Sequence, residues 1–145
     1  MSVWMRYAIA AALLYGLHQV FTKLAAQRIG EGVGGFVVEV AAALTVLVYL
    51  GYLKYSGSWP QSVSAPGIVY SVLTGICVGA GTVAFFLLFQ KGGPLSAVPM
   101  ILAAGAALMA VVGIAVFRES AHWTRLVGIG FAIAGMYLMQ YAPAE

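Results

Sequence analysis

Between Thr82 and Gly135 the chain has room for almost nothing but membrane-spanning helices. One apolar run ends at Gln90, and a tight Lys91-Gly92-Gly93-Pro94 turn follows. A second run extends from Leu95 to Phe117, and a short charged break, Arg118-Glu119, separates it from a third. Uninterrupted apolar runs of this length, joined by turns this short, describe one membrane hairpin followed by another. A soluble helix needs a polar face, and these runs have none.

The rest of the chain follows the same pattern. Of 145 residues, 63% are hydrophobic and 8% charged, with a mean hydropathy of +0.99. Soluble domains carry roughly a quarter charged residues, so composition alone places the chain among integral membrane proteins. The net charge of +3 comes from only seven basic residues, which sit singly between apolar runs. That is how loop charges set membrane topology, and it is not the clustered face of a nucleic-acid binder. Cys77 is the only cysteine and lies inside an apolar run, where packing is its expected role. The first apolar segment is too long for a signal-peptide core and has no convincing cleavage site before Lys23, so it is expected to be retained.

A spanning helix needs about 20 predominantly apolar residues. Five segments qualify: Val3 to Ala25, Gly34 to Leu53, Gly67 to Gln90, Pro94 to Phe117 and Trp123 to Tyr141. The expected fold is therefore an all-α integral membrane bundle of five transmembrane helices in one domain covering residues 1–145. The longest connection, Lys54 to Pro66, has the Ser, Gly and Pro content of an interfacial loop, with Trp59 as a headgroup anchor.

Five spans put the termini on opposite faces. Arg6, Lys54, Arg118 and Arg125 fall on the N-terminal face, and Lys23, Arg28 and Lys91 on the other. Four against three is almost no positive-inside bias. One reading is dual topology, with copies inserted both ways and paired antiparallel. The other is a single orientation with the N-terminal face cytoplasmic, or with Lys23 snorkelling and not counted.

Span one carries a polar stripe. Tyr7, Ala11, Tyr15, His18 and Thr22 recur at intervals of three and four and share one helical face, flanked by Gln19 and Lys23. Polar side chains at membrane depth face the bundle interior or a water-filled cavity. Tyr7, Tyr15, His18, Gln19 and Thr22 are accordingly candidates for substrate binding or coupling. The alternatives are interfacial packing for the tyrosines and a backbone-satisfied imidazole for His18. Span two contains one mid-span acid, Glu39. Positions 18 and 39 lie 11 before and 10 after Ile29, the centre of the connection, so a helical hairpin brings them to similar depths. Glu39 either forms a titratable pair with His18 or pairs with Lys23 or Arg28 as a structural tie.

Gly75 and Gly79 in span three, and Gly128, Ala132 and Gly135 in span five, have the small-residue spacing of close helix contact or dimerisation. Gly92 and Gly93 permit a tight reversal, and Pro94 suits a first helical turn. Pro99, further into span four, is expected to free a carbonyl near Leu95 as a kink or hinge.

These segments carry a resemblance. Phe89-Gln90-Lys91-Gly92-Gly93-Pro94-Leu95-Ser96, the Phe117-Arg118-Glu119 break and the Gly128–Gly135 spacing resemble the EamA-type repeat of the drug/metabolite transporter superfamily. Tyr15-Gly16 through Lys23 resembles that family's span-one signature, with Tyr15 in place of the usual tryptophan and Ser120 where arginine is frequent. Members usually hold two five-span repeats in inverted orientation, and this chain looks like one. The resemblance implies half of an inverted-repeat transporter fold completed by an antiparallel homodimer. It also implies a multi-pass position in the cell (inner or plasma) membrane and a small metabolite or organic cation as substrate. The related small multidrug resistance proteins carry a glutamate eight residues before the span-one lysine. That position is Tyr15 here, which leaves His18 and Glu39 as the residues able to couple protons. The bilayer, the substrate and a second copy are the expected partners. No enzyme activity, cofactor or metal is expected, because the chain shows no metal-ligand cluster or hydrolase elbow. The reading from another class is a membrane subunit that transports nothing and packs against a partner protein.

Overall fold

A computed structural model describes residues 2–120, 122–139 and 141, apart from the side chains at 125, 132, 136 and 139. Among the described residues it is all-helical: α1 (Val3–Ala26), α2 (Glu31–Tyr55), α3 (Ala65–Gln90), a 3₁₀ turn (Leu95–Ala97), α4 (Val98–Ala115) and α5 (Trp123–Met139). The first three α-helices, and the 3₁₀ turn with α4, are long and apolar enough to cross a membrane. The chain is thus a multi-pass membrane protein by length and composition. The described apolar part of the fifth helix, Leu126–Gly135, is shorter.

The chain divides into two units, residues 1–93 and 94–145. In the first, α3 packs against both α1 and α2, which barely touch each other. The Gln90 amide donates to the Ile29 carbonyl at 3.1 Å, tying the end of α3 to the α1–α2 connection. The C-termini of α1 and α3 and the N-terminus of α2 therefore share one end. All the buried residues of this unit lie toward that end: Gln19, Thr22 and Ala26 on α1, Gly34 and Gly35 on α2, and Thr82, Phe86 and Phe89 on α3. Most large apolar side chains point outward, as a lipid-facing surface requires. Between apolar helices in lipid there is little hydrophobic gain to be had, and close packing takes its place. The contact is made by Gly34, where a Cβ would overlap the Phe86 ring, and by Gly35, which lies against Val83.

The helix ends follow from local chemistry. Ser64 caps α3 by accepting from the Gly67 N–H at 3.2 Å, and Pro66 fills the first turn where no donor is needed. At the other end of α3, Gly92 (φ +87°) donates to Phe89 O and Gly93 to Leu88 O, a Schellman closure. Gly57 (φ +70°) ends α2 in the same way, with Ser58 donating to Leu53 O.

In the second unit α4 packs on α5 and on the 3₁₀ turn. Pro99 sits in the first turn of α4 and not in a helix interior. The carbonyl it was expected to free, that of Leu95, accepts from the Val98 N–H. The break is therefore taken up by a change of helix type. Past the end of α4, Arg118 adopts φ +53°. Glu119 donates its N–H to Gly113 O at 3.1 Å and lays its carboxylate over buried Gly113.

Candidate functional site

His18 lies eight residues before the end of α1, Glu39 eight after the start of α2, and Thr82 eight before the end of α3. At 1.5 Å per residue all three sit about 12 Å inside the shared end of the first unit. Gln19 and Thr22 belong to the same stretch. Three spanning helices thus contribute polar side chains to one layer, where each polar group needs a protein partner or a ligand.

The partners are only partly provided. Thr22, 2% exposed, donates its hydroxyl to the His18 carbonyl at 2.8 Å, a bond within its own helix. Thr82, 4% exposed, lies with its hydroxyl 2.7 Å from Glu39 Oε1 and 3.0 Å from the Val78 carbonyl. Gln19 is 6% exposed, and its Oε1 has no hydrogen-bond partner among the described residues. The same holds for His18 Nδ1. A buried polar atom left unpaired costs about 1–3 kcal/mol, so two in one layer need a reason beyond stability.

Glu39 is half-buried and hydrogen-bonds to Thr82. Among the described residues it makes no such bond to His18, Lys23 or Arg28. Arg28 instead donates to the Leu24 carbonyl at 3.0 Å, closing the end of its own helix. His18 keeps its edge-on contact with Tyr15, ring centroids 6.4 Å apart. The outer part of the polar stripe is open. Tyr15 is 66% and Tyr7 73% exposed, so only His18, Gln19 and Thr22 join the packed layer.

Thr82 is the site residue that sequence reading missed. Its signal was available in the eight-residue register, but a lone threonine in an apolar helix is usually bonded back to its own backbone. Gly34 and Gly35 meet α3, whereas a Cβ at Gly75, Gly79, Gly128 or Gly135 would find nothing within 4 Å among the described residues. The Ala132 side chain lies outside the described residues.

Comparison with protein-family models, with characterised proteins and with solved structures gives no match for this chain.

Proposed function

We propose that this chain is a secondary transporter of a small metabolite or organic cation. It would act as one five-span half of an inverted-repeat fold, with alternating access at the interface of an antiparallel homodimer. The observation that carries this reading is the half-satisfied polar layer. A carboxylate, an imidazole and a carboxamide sit at one depth inside apolar helices, two of them with unpaired buried atoms. Such groups in a membrane mark ion or substrate pathways, and transporter sites lie near the midplane at the repeat interface. The EamA resemblance and the four-to-three charge balance support the inverted second copy. The fifth span is the short one. Its 17 helical residues reach about 25 Å against a hydrocarbon core of about 30 Å, a mismatch that local thinning or anchoring aromatics such as Trp123 absorb.

The test is uptake into vesicles holding the full-length protein, with tetraphenylphosphonium and ethidium as cation probes and a panel of small amines, with and without a pH gradient. The gradient should drive accumulation, and Glu39→Gln and His18→Ala should each abolish the gradient-driven part. Gradient-driven accumulation left unchanged in both variants would remove these residues from the mechanism. Absence of uptake together with purification only alongside another chain would favour the subunit reading.

A further inference from the structure

Thr82 has one hydroxyl proton and two acceptors in range, Glu39 Oε1 at 2.7 Å and the Val78 carbonyl at 3.0 Å. A carbonyl can only accept, so the direction of the Glu39 bond depends on whether Glu39 holds a proton. With Glu39 ionised, the Thr82 hydroxyl donates to the carboxylate, and the Val78 carbonyl keeps only its place in the helix. With Glu39 protonated, its O–H donates to Thr82 Oγ1, and the Thr82 proton turns to Val78. Both distances suit O–H···O bonds, so the exchange needs a hydroxyl rotation and no helix movement.

We propose that Thr82 is the positioning residue of a proton switch. It allows Glu39 to take up and release a proton inside the membrane without leaving either form unpaired. The proton comes from water and returns to it through Glu39 alone, while Thr82 keeps its own proton throughout. Between apolar helices a stranded polar group is expensive, so a partner able to reverse from donor to acceptor is what a carboxyl that must work in both states requires. Among uncharged side chains a hydroxyl does this by rotation, and the adjacent backbone carbonyl gives the displaced proton somewhere to go.

Few other groups compete. Of the helices packed against α2, α1 brings His18 to this depth and Lys23 nearer the shared end. α3 contributes only exposed Cys77, five residues below Thr82, and Tyr70 further down. On α2 itself the nearest ionisable neighbour toward the shared end is Glu31, eight residues away.

This inference rests on the transporter reading only in making the proton useful, so its test uses no substrate. Infrared spectra of the full-length protein in lipid vesicles are recorded across pH. The protonated Glu39 carboxyl is identified as the band lost in Glu39→Gln. The Val78 carbonyl, followed by ¹³C-valine labelling, is identified as the band lost in Val78→Ala. As Glu39 gains its proton, the Val78 band should move to lower frequency as it accepts a second hydrogen bond. In Glu39→Gln, which has no proton to gain or lose at this position, the band should not move with pH. Thr82→Val should raise the carboxyl band frequency and shift its pH midpoint, and Thr82→Ser should restore both. A Val78 band that does not move through the Glu39 titration would overturn the proposal, and this reading needs no substitution at Thr82. A carboxyl band unaffected in Thr82→Val would overturn it as well. A protein that shows the switch but moves no probe loses the transporter reading and keeps this one.

Discussion

Gly34→Ala is the sharpest test of how α2 and α3 are held together. The added methyl would lie 2.6 Å from Phe86 Cζ and 2.9 Å from Cδ1, and nearer still to Cε1, well inside ordinary contact. Phe86 is 0% exposed, so its ring cannot swing into lipid to make room. Overpacking of this kind costs about 1–3 kcal/mol. Alanine also recovers about 1 kcal/mol of intrinsic helix preference over glycine. Gly51→Ala separates the two effects, since Gly51 is in the same helix and its Cβ would meet nothing within 4 Å. Both variants share the propensity gain, so the difference between them reports the clash, expected at about 1–3 kcal/mol. Denaturation by sodium dodecyl sulfate in mixed micelles, followed by circular dichroism, measures both. Adding Phe86→Leu to Gly34→Ala should return part of the loss, with a coupling energy of about 0.5–3 kcal/mol. Equal stability of the Gly34 and Gly51 variants would refute a glycine-mediated α2–α3 contact.

Gly92→Ala forces a side chain into φ +87°, a conformation costing about 1–2 kcal/mol for an L-residue. The same micelle titration should show a loss of that size, and no loss would mean that the α3 closure re-forms elsewhere. Tagging the C-terminus and assaying its accessibility from each side of intact vesicles tests the antiparallel copy. A mixed population is expected, and a single orientation would rule out dual topology.

Four of the five expected spans were legible in the sequence because they depend on local composition. An apolar run of about 20 residues must become a helix in lipid, where backbone groups have no other partner. The turns were equally local. Gly92-Gly93 and Ser64 act within a few residues of themselves, and the helix ends fall within a few residues of where the sequence put them. Depth was legible too, because helical rise is constant, and His18 and Glu39 do share a level.

Rotation was not legible. Whether Glu39 meets His18, Lys23, Arg28 or Thr82 depends on how α2 turns about its axis. That is set by the Gly34–Phe86 and Gly35–Val83 contacts, 52 and 48 residues apart in the chain. The moment that would reveal a buried face is weak when every face is apolar, so periodicity could not choose the partner. Pro99 failed to appear as a kink for a related reason. A proline dictates only which bonds are lost, and the preceding 3₁₀ turn decided how the Leu95 carbonyl was satisfied. The sequence by itself determined that a carboxylate, an imidazole and a carboxamide are held at one depth in the membrane. Only the tertiary structure decided that the carboxylate's partner is a hydroxyl, because two glycines let α2 come close enough to α3 for that bond to form.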